Sequence, residues 1–240
     1  MKIIRITIVG NSVAIRVRPP QKNPYNKNYG QILEDILQER LSDKIVAVRN
    51  KGFGRATITD IMTKFDDIIN TFPNYYILNI GVPDASTREI PFWYANILNM
   101  KNDFFIKTLL GSIHSRIFKK YSSFFVKLRG KKSWISIKKF EKYYDHIIKT
   151  LEKETNAKII TLSINRANER IENAIPGSSR SFEKYNKVIE EISDRNDLIH
   201  LNLDDLNCET DYPDGIHFSA KGSRIVAKQI SEIIIHDLKE

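Results

Sequence analysis

The sequence is poor in cysteine and contains no long apolar run. Cys208 is the one cysteine among 240 residues, which excludes a disulfide within the chain and is typical of a reducing compartment. No stretch approaches the roughly 18 consecutive apolar residues of a membrane-spanning helix, and the apolar run before Gly10 lacks the small-residue cleavage site of a signal peptide. We therefore expect a cytoplasmic protein.

One long segment has no acidic residues. Residues 104–140 contain ten Lys or Arg and no Asp or Glu, whereas the rest of the chain has 28 basic and 29 acidic residues, so the formal net charge of +9 belongs to this segment. Aromatic residues are interleaved with its positive charges: Phe104, Phe105, Phe118, Tyr121, Phe124, Phe125, Trp134 and Phe140. Three interpretations stay open. In the first, the segment lies on the inner face of an anionic membrane. In the second, which is the least favoured, it binds nucleic acid. In the third, it forms a helical lid whose aromatic residues pack on the core.

Strand and helix patterns alternate in the rest of the chain, which predicts a parallel sheet with helices on both faces. Strands are expected at 3–9, 44–48, 75–80, 158–164 and 198–203, and helices at 29–41, 57–72, 181–192 and 220–238. The predicted fold is a three-layer α/β/α sandwich with a five-stranded parallel sheet. We expect a single domain over residues 1–240 with a basic helical insertion at about 91–155.

Polar residues follow several of the predicted strands. Ser12 comes directly after the first strand, and Asp214 and His217 stand three residues apart after the last one. A serine hydroxyl is a weak nucleophile unless an imidazole takes its proton, and that imidazole needs an acceptor to orient it. The carboxyl ends of parallel strands meet at one edge of the sheet, where open α/β sheets bind their ligands. We therefore predict that these three residues form one active site.

Four short strings then carry a family resemblance: Gly10-Asn11-Ser12, the run 52–57 (Gly-Phe-Gly-Arg-Ala-Thr), 81–84 (Gly-Val-Pro-Asp) and 214–217 (Asp-Gly-Ile-His). In this order and at this spacing, they resemble the sequence blocks of the SGNH hydrolases, the GDSL-like lipase and esterase superfamily, whose fold is of the flavodoxin-like type. The resemblance implies that Ser12 is the nucleophile, His217 the general base and Asp214 its orienting partner. It also implies an oxyanion hole built from the backbone N–H groups of Ser12 and Gly54.

The third block departs from the family pattern at Pro83, where an asparagine usually supplies a third oxyanion donor. Proline has neither a side-chain donor nor a backbone N–H. Asn79, Arg55 and Arg88 are the candidates to replace it. The stretch 81–88, in which an arginine follows Gly-x-x-Asp closely, is similar to SGNH proteins associated with bacterial surface polysaccharides.

Five residues on the same loops are candidates for substrate binding: Asn11, Arg16, Arg55, Asp84 and Arg88. The arginines, together with Arg18, favour an anionic or acidic sugar, because a guanidinium binds a carboxylate or phosphate with two parallel hydrogen bonds. Ordinary surface arginines are the alternative. His114, His146, His200 and His236 have no carboxylate or cysteine partners at metal-ligand spacing, and no Gly-x-Gly-x-x-Gly motif follows the first strand. We therefore expect neither a metal nor another cofactor.

The functional prediction is a serine-dependent acyl-ester enzyme. The resemblance implies a carbohydrate O-acetyl esterase or O-acetyltransferase that acts on an acylated bacterial glycan or its precursor. Both reactions share an acyl-enzyme and differ in whether water or a sugar hydroxyl accepts the acyl group. The alternative, motivated by Pro83, is a catalytically silent glycan-binding or membrane-recruited module with the same fold.

Overall fold

A wholly parallel five-stranded sheet forms the centre of the computed structural model, which describes residues 2–18, 26–99 and 105–239. The strand order is β2-β1-β3-β4-β5, with β1 at Lys2–Gly10, β2 at Lys44–Gly52, β3 at Tyr75–Asn79, β4 at Lys158–Leu162 and β5 at Ile199–Leu201. All five residues of the central strand β3 are buried, as expected for a parallel strand covered on both faces. The predicted fold class is confirmed.

Helices cover the sheet and connect its strands. They are α1 Ser12–Ile15, α2 Tyr29–Arg40, α3 Ile58–Met62, α4 Phe65–Ile69, α5 Val82–Ala85, α6 Phe92–Asn99, α7 Phe105–Ile113, α8 Ser122–Leu128, α9 Ile137–Glu154, α10 Glu169–Ala174, α11 Ser178–Arg195 and α12 Ala220–Asp237. A π-helical turn, His114–Phe118, continues α7. In the two outer layers, α2 packs on α12, and α9 packs on α11 and α3.

The single helix predicted at 57–72 is two short helices, α3 and α4. The Thr63 hydroxyl, at the end of α3, donates to the carbonyl of Asp60 at 2.7 Å, and such local bonds compete with the helical pattern. The apolar periodicity continues across the break because both helices bury their apolar side chains in the main core. The buried residues are Ile58, Ile61, Phe65 and Ile68.

The structure divides the segment predicted as an insertion at about 91–155 into two parts. Helix α9 belongs to the layer on the sheet, where it buries Phe140, Tyr144, Ile147, Ile148 and Leu151 in the main core. Helices α6 and α7 instead meet in a small apolar cluster formed by Ile90, Tyr94 and Ala95, with Leu98, Leu110, Phe118 and Trp134 packed against it. The second part therefore has a small apolar cluster of its own.

The described ranges include no helix that is both long and apolar enough to cross a membrane. The cytoplasmic location expected from the sequence stays a prediction. Phe104, one of the aromatic residues noted in the basic segment, lies outside the described residues.

Candidate active site

Ser12 stands at the carboxyl edge of the sheet, at the start of α1. Strand β1 ends at Gly10, where a Cβ would lie 2.5 Å from the carbonyl oxygen of Asn79 on β3, so a side chain there would collide with backbone. Asn11 caps the helix by accepting a hydrogen bond from the N–H of Val13 at 3.0 Å. This local arrangement fixes the direction in which the Ser12 side chain leaves the strand.

The loop 214–217 folds on the side chain of Asp214. Its Oδ1 accepts hydrogen bonds from the N–H groups of Ile216 at 2.9 Å and His217 at 2.7 Å, which leaves Oδ2 directed at the imidazole. Gly215 adopts a φ of 82°, a left-handed conformation that favours glycine. The three-residue spacing therefore becomes a tight turn in which Asp214 and His217 face each other.

A chain of two hydrogen bonds joins the three residues predicted from the sequence. Oδ2 of Asp214 lies 2.8 Å from Nδ1 of His217, and Nε2 of His217 lies 2.9 Å from Oγ of Ser12. An ionised carboxylate can only accept, so Nδ1 carries the imidazole proton and Nε2 is left to accept from the serine hydroxyl. This is the geometry of an activated serine nucleophile.

The carboxyl of Asp214 has a pKa below its ordinary value. Partial burial acts to raise this pKa, but the hydrogen bonds from the His217 side chain and from the N–H groups of His217 and Ile216 outweigh burial. Arg18 lies close as well, with Nε 3.8 Å from Oδ2 of Asp214. Arg18 thus forms an ion pair with Asp214. The sequence alone groups Arg18 with the arginines expected to bind an anionic sugar.

A cavity of about 640 Å³ opens next to Ser12 and His217. Three of the predicted substrate-binding residues line it: Arg16, Arg55 and Arg88. The opposite wall comes from α6, α7 and the π-helical turn, and contributes Lys107, His114 and Lys119. The sequence did not single out these three as site residues, and only their position in the basic segment could have indicated them.

Positive charge dominates the lining of this cavity. Five of its side chains are Lys or Arg, and Glu89 is the one acidic residue in the lining. Oε1 of Glu89 lies 3.0 Å from Nε2 of His114, so its charge faces the histidine. Arg16 and Arg55 form no ion pair with any described residue. The cavity therefore offers uncompensated cations to a ligand.

The side chain of Arg88 lies between Pro83 and Trp134. Its guanidinium sits over the Trp134 ring at 4.3 Å from the centroid, and Nη2 is 3.5 Å from the carbonyl oxygen of Pro83. Nε is buried without a hydrogen-bond partner in the described ranges. Burial lowers the pKa of this guanidinium, while the nearby carboxylates of Glu89 and Asp84 act in the opposite direction.

The three candidates for a third oxyanion donor are placed differently. Asn79 is buried and its amide donates to the hydroxyl of Tyr29 at 3.3 Å, so it is held away from the cavity. Arg55 and Arg88 both line the cavity, and Arg88 is the one in contact with Pro83.

Asn11 and Asp84, two of the five residues predicted to bind substrate, are not among the residues that line the cavity. Both are completely buried. Asp84 accepts a hydrogen bond from the N–H of Ile58 at 2.8 Å and so anchors α3, while burial raises its pKa to about 8. The two residues stabilise the loops of the site from behind.

Gly54 is exposed on the loop that follows β2. A Cβ at this position would lie 3.6 Å from Nη2 of Arg16, so the glycine stands beside the arginine that lines the cavity. Its N–H makes no hydrogen bond to any other described residue. Across the described ranges, no group of three or more His, Cys, Asp or Glu side chains is close enough to hold a metal ion.

The family model of the GDSL-like lipases and acylhydrolases matches residues 8–225. The chain therefore belongs to this family, as the four sequence strings predicted. None of the curated proteins compared with it matches the sequence.

Solved structures of similar fold include two esterase-type enzymes. The lipase/acylhydrolase from Enterococcus faecalis has a TM-score of 0.63 at 16% identity, over 96% of this chain and 95% of its own. Axe2, an acetylxylan esterase from Geobacillus stearothermophilus, has a TM-score of 0.62 at 17% identity, over 95% of this chain and 94% of its own. Catalytic mutants of Axe2 replace a serine, an aspartate and a histidine by alanine, the last two being three positions apart.

Proposed function

We propose that this protein is an acyl-ester hydrolase that removes an O-acyl group, most simply acetyl, from a carbohydrate. The observation that carries the proposal is the unbroken chain of hydrogen bonds from Asp214 through His217 to Ser12. Membership of the acylhydrolase family and the catalytic serine, aspartate and histidine of the acetylxylan esterase support it.

In the proposed reaction, Ser12 Oγ attacks the ester carbonyl while Nε2 of His217 takes its proton. Asp214 stabilises the imidazolium, and the N–H groups of Ser12 and Gly54 donate to the developing oxyanion. The imidazolium then gives its proton to the sugar oxygen as the bond to the acyl carbon breaks. Water repeats the sequence on the acyl-enzyme, with the proton passing to His217 and back to Ser12, and releases the carboxylic acid.

Pro83 makes this oxyanion hole different from the usual family pattern. A missing donor costs on the order of 3 kcal/mol, about a hundredfold in turnover, unless another group replaces it. Arg88 is our proposal for that group, because it is the cavity-lining donor in contact with Pro83. The Arg88→Gln variant should therefore hydrolyse even a small neutral ester such as p-nitrophenyl acetate more slowly, with kcat affected more than KM.

We further propose that the carbohydrate carries an anionic group, such as a carboxylate or phosphate. The cavity lining contains five cationic side chains and one acidic side chain. Arg16 and Arg55 form no ion pair with a described carboxylate. Both arginines are exposed at the cavity, where a guanidinium can bind such an anion through charge-assisted, paired hydrogen bonds.

The test compares acetate release from O-acetylated oligosaccharides that carry a carboxylate with release from neutral ones. Arg16→Gln should lower kcat/KM for the anionic substrate by about tenfold, the value of one charge-assisted hydrogen bond, and leave the neutral substrate unchanged. Arg224→Gln, an exposed arginine on α12, is the matched control. Equal rates on both substrates in the native protein would contradict the anionic preference.

Transfer of the acyl group to a sugar hydroxyl uses the same acyl-enzyme and differs in the acceptor. Adding an unacylated oligosaccharide to the assay separates the two reactions. Hydrolysis gives free acetate at an unchanged yield, whereas transfer gives an acylated acceptor at the expense of acetate.

A further inference from the structure

The stretch from α7 to α8 exposes several large apolar side chains, which we call the apolar row. Six of the ten exposed large apolar residues in the described ranges lie within 105–128: Phe105, Leu109, Ile117, Tyr121, Phe124 and Leu128. Phe105 is 82% exposed and Leu128 71%, so these side chains have little contact with the rest of the protein. Phe105 and Leu109 stand one turn apart on α7, as do Phe124 and Leu128 on α8, so each pair shares one side of its helix, while Ile117 lies in the π-helical turn and Tyr121 just before α8.

The opposite side of the same helices is the one that packs on the protein. Leu110 and Phe118 pack against the small cluster around Tyr94, and the hydroxyl of Tyr94 donates to the carbonyl of Leu110 at 2.9 Å. The Phe118 and Phe125 rings pack on each other, with centroids 4.6 Å apart. The inward side chains account for the folding of this segment, so the outward row calls for a different partner.

Exposed cations accompany the apolar row. Arg116, Lys120 and Lys127 are exposed, and none of them forms an ion pair with a described residue. No acidic residue occurs between 104 and 140 to oppose them. An apolar row flanked by cations is complementary to an anionic lipid surface, with acyl chains below and phosphate groups at the level of the lysines.

Two other partners fit these features less well. Leu109, Ile117 and Leu128 are aliphatic, and aliphatic side chains do not provide the stacking platform that binds nucleic-acid bases. In a symmetric dimer this face would meet its own copy, which would bring Arg116, Lys120 and their counterparts together as like charges.

We propose that the face formed by residues 105–128 docks on membranes rich in anionic phospholipid. The cavity that contains Ser12 shares this segment, because Lys107, Gly111 and Ser115 line it from the same helical stretch that exposes Phe105 and Leu109. Docking therefore holds the cavity next to the lipid surface. This surface function does not depend on the esterase reaction.

The experiment is co-sedimentation of the protein with vesicles of phosphatidylcholine alone and of phosphatidylcholine mixed with phosphatidylglycerol. We expect binding to the anionic vesicles that weakens as salt rises from low to physiological concentration, and no binding to the neutral ones. Absence of binding to anionic vesicles at low salt would overturn the proposal.

Matched variants test the two components of the face. Phe124→Ser should weaken binding about tenfold, whereas Phe72→Ser, at a phenylalanine of equal exposure (62% against 61%) on another part of the surface, should not change it. Lys120→Gln with Lys127→Gln should weaken binding about fivefold for each lysine. Lys142→Gln with Lys184→Gln, exposed lysines outside the segment, is the charge control.

Hydrolysis of p-nitrophenyl acetate and the melting temperature are measured for every variant, and both should stay unchanged. Equal weakening of vesicle binding by a variant and its matched control would overturn the proposed face. So would a concentration-dependent dimer that Phe124→Ser dissociates, or binding of an oligonucleotide in preference to the anionic vesicles.

Discussion

The substitution Asp214→Asn tests how the loop 214–217 prepares the histidine. Oδ1 of Asp214 accepts the N–H groups of Ile216 and His217, so the asparagine oxygen keeps this position and the new NH₂ group replaces Oδ2. That NH₂ group donates toward Nδ1 of His217, which must then be the acceptor. The imidazole proton then sits on Nε2. A protonated Nε2 has no free lone pair, so it cannot take the proton of the Ser12 hydroxyl.

The expected loss is large because the wrong tautomer removes the base without removing the side chain. In serine hydrolases with this arrangement, the change from aspartate to asparagine lowers kcat by about 10⁴, which corresponds to about 5.5 kcal/mol of transition-state stabilisation. The assay is hydrolysis of p-nitrophenyl acetate at pH 7 to 8, with the melting temperature as the control for folding. The loop should survive, since both backbone hydrogen bonds of Oδ1 are kept.

A loss of less than about tenfold in kcat, with an unchanged melting temperature, would refute this reasoning. It would mean that Asp214 does not set the tautomer of His217. If Asp214→Asn also unfolds the protein, the lost activity could come from unfolding and not from the tautomer of His217. The Asp214→Glu variant, which keeps the charge, then separates these two causes, because it should recover the fold and part of the activity.

Two further predictions concern the loops behind the site. The pKa of Asp84 is raised to about 8 in the folded protein from 3.8, so between about pH 4 and 8 the unfolded chain releases a proton that the folded chain keeps, and stability falls as pH rises. The melting temperature of Asp84→Asn, relative to that of the native protein, should therefore rise as the pH increases from 5 to 9. A difference that does not change with pH would contradict this. Gly215→Ala adds a Cβ 2.3 Å from atoms of Asn168 and Ile171 at a left-handed φ, so it should lower the melting temperature by several degrees and impair hydrolysis, whereas Gly111→Ala, with open space around it, should leave the melting temperature unchanged or higher.

The sequence predicts the sheet well because its strands carry uniform signals. The run 3–9 is almost wholly β-branched and forms most of β1, an interior strand that is buried from Ile6 to Gly10. The helix at 57–72 is predicted less well, because its apolar periodicity continues across a break at Thr63 and Lys64, where local hydrogen bonds close a turn. Periodicity reports which side is buried, and it does not report local hydrogen bonds.

The residues of the site can be predicted from the sequence where the chemistry requires one residue type. They cannot be predicted where burial decides whether a side chain reaches the cavity. Ser12 and His217 come from the ends of strands or the loops after them, and parallel topology brings such ends together. Asp84 belongs to the string 81–84, which resembles the third block of the family, but its side chain is completely buried. Membership of a motif does not specify the direction in which a side chain points. Lys107 and Lys119 enter the cavity only because the small cluster around Tyr94 packs their helices over it, which is a long-range contact.

The most direct test of the account is labelling with a fluorophosphonate, which reacts with a serine only when that serine is activated. The central claim is that the hydrogen-bonded chain from Asp214 to Ser12 makes Ser12 a nucleophile. We expect one phosphonylated residue, identified by peptide mass spectrometry as Ser12, and no labelling in Ser12→Ala or His217→Ala. A native protein that remains unlabelled, or a Ser12→Ala variant that labels equally well, would contradict the claim.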